Sequence, residues 1–481
     1  MVAAGKNCSD DDVYYGYDDY DDDPYYEATG SHDVILLEVS KLPNEVASQQ
    51  PRFFYPQLKD PGEMMSTTKE NTKNGSGETA LTRMAPAPGP STMSVHANRQ
   101  KNGYKAVAEP IVQTSTYAFE DTQDLRDFME ARLWGQEMQR TEYGRYGNPT
   151  VYAAEQRLAG LEKAGDALLF SSGMAAITTV LFTMLPTGVN VVMTDDCYRR
   201  TRQFCQTFLK RLGISCTTVR MGDYQALDEA IQPNTRIVIS ESPTNPYLRT
   251  LDLEKFVAVA RKHKVKTMVD ATFATPLNIR PLEWGVDIVV HSATKYLGGH
   301  NDLLAGAALG EPGLINSFRN SRGVLGAVPD PQTAALLLRG LKTLGLRVAR
   351  HNQNGQAVAE FLEGHPMVEK VWYPGLESHP DHAAAKQQMS GFGGVVSFTI
   401  KGDLERTSRF VDRVQIPLMA ASLGGVETLI EQPALMSYYE MSPEERLEVG
   451  ITGNLVRLSL GIEDTQDLID DLDQALKHLK D

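Results

Sequence analysis

From about residue 105 onwards, short apolar runs alternate with longer segments in which apolar residues recur every three or four positions. The short runs are typical of buried strands, and the longer period is typical of amphipathic helices. Their alternation predicts a mainly parallel sheet with helices on both faces, and therefore an α/β fold. The predicted strands are Ala167–Ser171, Val189–Thr194, Cys216–Arg220, Ile237–Glu241, Thr267–Ala271 and Asp287–His291, and helices between them include Met174–Met184, Tyr198–Leu212 and Leu253–His263.

The pattern changes after residue 345, where a long helical stretch leads to short strands and a final helix. This change predicts a large sheet domain over residues 161–345 and a smaller C-terminal α+β domain over residues 346–481. The predicted elements of the smaller domain are Val368–Tyr373, Gly394–Ile400, Leu455–Leu460 and Thr465–Leu479.

Residues 1–95 lack this regular pattern and carry much of the charge. The 481-residue chain has a formal net charge of −15, and residues 1–95 contribute −9 of it through 16 acidic and 7 basic side chains. An acid- and tyrosine-rich run such as residues 9–27 repels itself and does not pack a core, so the extension is predicted to be mostly disordered. The extension has three possible explanations: it is an interaction tail that binds a basic partner, it is dispensable, or translation starts at a later methionine.

Composition and charge argue against several classes of protein. The acidic balance disfavours non-specific binding to nucleic acid or anionic membranes. No apolar run is long enough to span a membrane, and the acidic start resembles neither a secretion signal nor a transit peptide, so a cytoplasmic location is expected. Four cysteines fit no metal-binding pattern and are too few for a disulfide scaffold, so no metal is expected. They are Cys8, Cys197, Cys205 and Cys216.

Lys295 is the most informative single position. It follows an apolar strand and a turn that contains Ser292 and Thr294, and a glycine pair comes soon after it. Ligands of parallel sheets bind at the carboxyl ends of the strands. A desolvated lysine there has a lowered pKa and can form a Schiff base, and the neighbouring hydroxyls suit a phosphate. Taken alone, Lys295 is equally well explained as a solvated surface residue.

Three other strand ends carry polar groups that complement Lys295. Asp270 would pair with a protonated pyridine nitrogen, or serve in an ion pair or a helix cap. The turn at Ser171–Ala176 would bind phosphate through backbone N–H groups at a helix start. Tyr198 would stack on a planar ring, or pack in the core. Together these residues supply every part of a pyridoxal 5′-phosphate (PLP) site at one sheet edge.

Eight motifs make the chain from about residue 105 to its end resemble the cystathionine γ-synthase family of Cys/Met-metabolism PLP enzymes. The resemblance implies the PLP-dependent transferase fold of type I, with residues 96–160 forming an arm and inter-subunit segment. It covers about four fifths of the chain and has no counterpart for residues 1–95. The motifs are EYGRYGNPT (142–150), SSGMAA (171–176), DDCYRRT (195–201), ESPTNP (241–246), DATFATP (270–276), HSATKYLGGHND (291–302), SLGGVET (422–428) and NLVRLSLGIE (454–463).

The resemblance also implies roles for the matched positions. Lys295 would hold the cofactor and move protons, Asp270 would pair with its ring nitrogen, and Tyr198 would stack on the ring and assist proton transfer. The other implied cofactor-binding residues are Tyr143, Arg145, Gly173, Met174, Asn245, Thr272, Ser292 and Thr294. Tyr143 and Arg145 would reach the phosphate in a neighbouring subunit, so the expected assembly is a homotetramer built from dimers that share active sites. The implied substrate-binding residues are Ser422, Glu427 and Arg457.

The reaction implied by the resemblance is γ-replacement, in which an activated homoserine ester and cysteine give cystathionine for methionine biosynthesis. Cystathionine γ-lyase and homoserine-ester sulfhydrylase are alternatives on the same scaffold, and a specialised γ-substitution is another. A non-catalytic regulator is the alternative from a different class, and the presence of Lys295, Asp270 and Arg457 argues against it. Arg200 stands where methionine γ-lyases place a reactive cysteine, which weakens that assignment. The sequence does not distinguish a succinyl, acetyl or phospho donor.

Overall fold

The computed structural model describes residues 88–99, 102–134 and 140–480. Most of the predicted disordered extension therefore lies outside the described residues, although its last part contains a short helix, Pro90–His96. All the described residues belong to one compact unit. The predicted domain boundaries stay predictions.

A seven-stranded sheet forms the centre of the larger part of the molecule, and its strands are mainly parallel, as predicted. Their spatial order is β1-β7-β6-β5-β4-β2-β3; the five from β6 to β3 are parallel, whereas β7 is antiparallel to both β1 and β6. In chain order the strands are β1 (Asp166–Phe170), β2 (Asn190–Thr194), β3 (Ser215–Val219), β4 (Thr235–Glu241), β5 (Lys266–Asp270), β6 (Ile288–His291) and β7 (Gly306–Gly310).

The six predicted strands of this sheet all exist, with ends that differ by one or two residues. Strand β7 was not predicted, because its sequence GAALG contains none of the β-branched or aromatic residues that favour strands.

Helices connect the strands. A single π-helical turn, Phe204–Phe208, joins α5 to α6, so the predicted helix Tyr198–Leu212 is continuous but irregular. The α-helices are α1 (Pro90–His96), α2 (Thr122–Leu133), α3 (Pro149–Glu162), α4 (Gly173–Met184), α5 (Arg199–Gln203), α6 (Leu209–Arg211), α7 (Tyr224–Ala230), α8 (Leu253–Lys262), α9 (Thr275–Asn278), α10 (Pro312–Leu325), α11 (Pro331–Leu341), α12 (Leu344–Gly364), α13 (His382–Gln388), α14 (Leu404–Val411), α15 (Pro443–Glu448) and α16 (Thr465–Lys477).

Both faces of the large sheet are covered, because successive strand residues point to opposite sides. In β4, Ile237 and Ile239 pack into a cluster that includes residues of α4, whereas Val238 packs into a different cluster with α8. A strand buried on both faces reads as a continuous apolar run, which is the pattern seen in the sequence.

A second, five-stranded sheet lies towards the C-terminus, with the order β10-β11-β12-β9-β8. Helices α12 and α16 share one hydrophobic cluster with its strands, which confirms the predicted α+β character of this part. None of the helices in the described ranges is long and apolar enough to cross a membrane. The strands are β8 (Val368–Trp372), β9 (Val395–Ile400), β10 (Leu418–Met419), β11 (Leu429–Glu431) and β12 (Leu455–Ser459).

Candidate active site

The carboxyl ends of three adjacent parallel strands bring the predicted polar residues to one edge of the large sheet. Strand β4 ends at Glu241 and β5 ends at Asp270, and these two residues are direct neighbours in the strand register. The next strand, β6, leads straight into the turn that contains Ser292 and Lys295. Because β4, β5 and β6 are adjacent and parallel, their carboxyl ends bring the candidate residues together.

Asp270 is a partly buried carboxylate that is held by its own turn. The backbone N–H and the hydroxyl of Thr272 both donate to its Oδ1, at 3.0 and 2.5 Å. Burial raises the pKa of Asp270, while the Thr272 hydrogen bonds and nearby His291 oppose the rise. None of the described residues donates to Oδ2, so this oxygen is available to accept a ring N–H.

A phosphate would fit at the start of α4. Ser172 caps the helix by accepting the Ala175 N–H at 3.0 Å, and the first N–H groups, of Gly173 and Met174, have no partner within the helix. A Cβ on Gly173 would lie 2.9 Å from the Ser292 Cβ, so only glycine permits this approach. These N–H groups, the helix dipole and the Ser292 hydroxyl form an anion cradle.

Thr294 makes a different contact from the one implied by the resemblance. Its hydroxyl donates to the Ala305 carbonyl at 3.2 Å and accepts the Ala305 N–H at 3.0 Å. The hydroxyl therefore fixes the turn that carries Lys295, and its role in binding phosphate stays a prediction.

Lys295 has the environment expected of a reactive amine. Its Nζ donates to the Ser422 hydroxyl at 2.7 Å. Burial lowers the pKa of Lys295 to about 8, and the neighbouring Arg457 acts in the same direction, whereas Glu431 acts against it. Ser422 has a φ of +96°, a backbone conformation that residues other than glycine rarely adopt and that is often found at functional sites.

Arg457 lies on β12 with its side chain buried. One Nη donates to Asn245 Oδ1 at 3.1 Å and pairs with Glu431 Oε1 at 3.0 Å, and the other donates to the Ser422 carbonyl at 2.7 Å. Its Nε is buried without a hydrogen-bond partner among the described residues. A carboxylate bound across Nε and Nη would satisfy this donor and gain the bidentate geometry that guanidinium groups favour.

Tyr198 stands at the start of α5 with 42% of its surface exposed, so its ring is free to stack on a planar ligand. Its backbone N–H donates to Glu241 Oε2 at 2.7 Å. A small cavity is lined by Tyr198, Glu241 and Asp270 together with apolar side chains from the sheet and α4. Tyr198, which is expected to stack on the cofactor ring, and Asp270, which is expected to pair with the ring nitrogen, therefore border the same cavity.

Three of the predicted residues make contacts elsewhere. Glu427 accepts a hydrogen bond from Asn301 at 2.8 Å. Arg145 donates to the Gly323 carbonyl at 2.5 Å and lies over the Tyr143 ring. No hydrogen bond or ion pair joins Glu427, Tyr143 or Arg145 to Lys295 in the described part of the chain. The implied reach of Tyr143 and Arg145 into a neighbouring subunit stays a prediction.

Two residues of the site were not singled out from the sequence. Glu241 ends a buried strand as Asp270 does, so the same strand-end rule would have found it. Glu431 pairs with Arg457 from the adjacent strand, and its isolated position in β11 carries no such signal. Cys197 is buried in the core beside α4.

The residues present fit PLP. The α4 cradle suits its phosphate, the free Oδ2 of Asp270 suits its ring nitrogen, and the desolvated Lys295 suits its aldehyde carbon. Among residues 88–99, 102–134 and 140–480, no group of three or more His, Cys, Asp or Glu side chains could hold a metal ion.

Comparison with known proteins gives independent support. The family model described as Cys/Met metabolism PLP-dependent enzyme matches residues 91–477. Cystathionine gamma-synthase 1, chloroplastic, of Arabidopsis thaliana is 48% identical over 373 residues, which are 77% of this chain and 65% of that protein, so the chain spans about two thirds of that relative's length.

Cystathionine gamma-synthase 1, chloroplastic, of Nicotiana tabacum is 47% identical over 372 residues, or 77% of this chain and 68% of the relative, and bacterial proteins are similar as well. Cystathionine gamma-lyase of Bacillus subtilis is 42% identical over 397 residues, or 81% of this chain and 99% of the relative. The crystal structure of metB from Corynebacterium glutamicum matches with a TM-score of 0.75 at 36% identity, covering 82% of this chain and 98% of that one. The chain belongs to the Cys/Met metabolism family of PLP-dependent enzymes.

Proposed function

We propose that the protein catalyses γ-replacement, joining cysteine to an activated homoserine ester to form cystathionine. One observation carries the proposal: the Lys295 amine and the Arg457 guanidinium are connected through Ser422, by its hydroxyl on one side and its carbonyl on the other. An amino-acid substrate whose carboxylate binds Arg457 would thus present its Cα to Lys295. The similarity to plant cystathionine γ-synthases supports this choice of reaction within the family.

The residues would divide the work as follows. PLP, when bound, supplies the electron sink that stabilises negative charge at the substrate Cα. Lys295 would take the proton from Cα and give it up to the bound substrate and cofactor before it takes a second proton from Cβ, and it would return protons to Cβ and Cα as the product forms. Its pKa of about 8 permits this exchange near neutral pH. Arg457 would hold the carboxylate, and Asn245 and Glu431 would hold Arg457. The leaving group then departs from Cγ, and the thiol of cysteine adds there.

Cystathionine γ-lyase is the second candidate, because a Bacillus subtilis enzyme of that name aligns along nearly its whole length. It would use the same Lys295 and Arg457, but would break the bond at Cγ without adding a new thiol. The methionine γ-lyases among the relatives are similar to a comparable degree. The substrate, rather than the catalytic residues, distinguishes these reactions.

A homotetramer of dimers with shared sites remains part of the proposal. It rests on the family resemblance, and it is supported by the contacts of Arg145 with Gly323 and the Tyr143 ring rather than with Lys295. The cytoplasmic location also stays a prediction. Two of the plant relatives are named as chloroplastic, so their names do not support it.

A product assay tests the proposed reaction. The purified protein with PLP is incubated with O-succinyl-, O-acetyl- or O-phosphohomoserine, each with and without cysteine, and cystathionine and 2-oxobutyrate are quantified. We expect cystathionine from at least one ester when cysteine is present. Consumption of added cystathionine, with all three esters left unreacted, would establish the lyase instead.

A further inference from the structure

Three carboxyl groups lie close to Tyr198 at the edge of the large sheet. Glu241 and Asp270 are neighbours in adjacent strands, and Asp196 precedes Tyr198 by two residues after β2. Among the described residues, no Lys, Arg or His side chain forms an ion pair with any of the three. Glu241 is buried and the other two are partly buried, so like charges in this group oppose one another and the three are not all ionised together.

The hydrogen bonds distinguish Asp270 from Glu241. Asp270 receives both the N–H and the hydroxyl of Thr272 on one oxygen, which favours its charged form. Among the described residues, Glu241 receives only the Tyr198 N–H, at 2.7 Å, and 5% of its surface is exposed. Burial, with Asp270 as the next contributor, holds the pKa of Glu241 well above its usual range. A neutral carboxylic acid still accepts an N–H through its carbonyl oxygen.

The charged and titratable groups around Glu241 come from several elements. Arg202 on α5 favours its ionisation, whereas Asp270 on β5 and Asp196 after β2 oppose it. Burial raises the pKa of Asp196 to about 7, so its own charge is reduced near neutral pH. Cys197 and Tyr438 also interact with Glu241, and burial raises the pKa of each.

We propose that Glu241 stays an uncharged carboxylic acid when PLP is bound, and that it positions Tyr198 by accepting its backbone N–H. Asp270 would then carry the negative charge at this edge of the sheet and would pair with the ring nitrogen. Glu241 is a positioning residue, because it acts through Tyr198 and Asp270 and not on the substrate. The proposal rests on the cofactor of the family and does not depend on which substrate is used.

Two variants separate the charge of Glu241 from its role as an acceptor. Glu241→Gln keeps a carbonyl oxygen for the Tyr198 N–H and never ionises. Glu241→Met fills the same space without an acceptor.

Each purified protein is stripped of PLP and reloaded without substrate, and the PLP Kd, the pH titration of the visible absorbance band and its circular dichroism are measured. Asp471→Asn, a buried acid that accepts the Gln415 and Ile416 N–H groups in the C-terminal part, is the matched control.

We expect Glu241→Gln and Asp471→Asn to match the unmodified protein, with a Kd within about threefold and the same titration midpoint. Glu241→Met should lose much of the circular dichroism of the visible band, because the Tyr198 ring is no longer fixed. In a separate assay with substrate, the turnover of Glu241→Met should fall by roughly 100-fold, as for other displaced catalytic groups.

Two results would overturn the proposal. A titration midpoint moved by about one unit or more in Glu241→Gln, or a Kd weakened about tenfold, would show that Glu241 is ionised. If Glu241→Met instead matches Glu241→Gln in every readout, Glu241 does not position Tyr198. Far-ultraviolet circular dichroism checks folding, and the result for Glu241→Gln decides the charge question even if Glu241→Met does not fold.

Discussion

At the residue scale, the lowered pKa of Lys295 makes a direct prediction about cofactor loading. Only the unprotonated amine attacks the aldehyde, and burial beside Arg457 lowers its pKa to about 8. The rate at which PLP binds covalently to the apoprotein should therefore rise with pH, with a midpoint near 8, and level off above it. Stopped-flow absorbance between about pH 6 and 10 measures this rate.

Lys295→Ala is the control for loading. It should bind PLP reversibly, with no pH-dependent covalent phase and no cofactor retained after borohydride treatment. A rate that keeps rising beyond pH 10 in the unmodified protein would mean that Lys295 titrates as an ordinary exposed lysine, contrary to its burial.

The location of the site residues at strand ends was predictable, because the carboxyl ends of parallel strands lie at one edge of the sheet. Lys295 and Asp270 follow this rule, and Glu241 obeys it too, although its role went unassigned. The partners of Arg457 were not predictable in the same way. Glu431 lies opposite Arg457 on the neighbouring strand of the same sheet, and Asn245 lies in the loop that follows β4 of the large sheet. Their contacts with Arg457 depend on strand register and loop path, which local patterns do not encode.

At the element scale, the close approach of β7 to the start of α4 is required for the phosphate cradle. A Cβ on Gly306 would lie 2.0 Å from the Ser172 carbonyl and 2.7 Å from the Gly173 nitrogen. Gly306→Ala should displace the start of α4, weaken PLP binding by about tenfold or more, and destabilise the protein by about 1–3 kcal/mol. Equilibrium titration with PLP and thermal unfolding measure the two effects.

Gly313→Ala is the matched glycine control. Gly313 lies in the first turn of α10, and a Cβ there meets nothing within 4 Å. This variant should bind PLP normally and be as stable as the unmodified protein or slightly more so, because alanine favours helix. Equal PLP affinity in the two glycine variants would show that α4 is not fixed by β7.

This packing also explains why β7 was missed in the sequence. A strand next to a helix start at this distance needs small residues, so Gly306, Ala307 and Ala308 replace the β-branched residues that indicate a strand. Strands β2, β4 and β5 were recognised because large apolar residues cover both of their faces. The sequence pattern therefore predicted the strands that carry large apolar side chains. It did not predict β7, whose small residues let it pack closely against the start of α4.

At the scale of the whole molecule, Lys295 and the expected carboxylate-binding residue Arg457 lie together in one chain, whereas the two expected phosphate ligands Tyr143 and Arg145 make no hydrogen bond to Lys295 among the described residues. Lys295 and Arg457 are connected through Ser422. Arg145 instead contacts Gly323 and the Tyr143 ring. The resemblance supplies the idea that these two residues serve another subunit, and no feature of a single chain reveals it, because the complementary surface belongs to a second copy.

Mixed oligomers test whether active sites are shared. Lys295→Ala chains and Arg145→Ala chains should each be nearly inactive alone. In a mixed dimer, one of the two sites would combine an intact Lys295 from one chain with an intact Arg145 from the other. Random pairing should therefore restore about a quarter of the sites, measured as cystathionine formation after the chains are co-expressed.

The decisive control pairs Lys295→Ala with Arg457→Ala. Because Lys295 and Arg457 come from the same chain in every site, no pairing of these two variants contains both residues, and activity should not return. Recovery in this control, or no recovery with Arg145→Ala despite formation of mixed oligomers, would contradict shared sites. In the second case Arg145 would act within its own chain, where its contact with Gly323 would be its structural role.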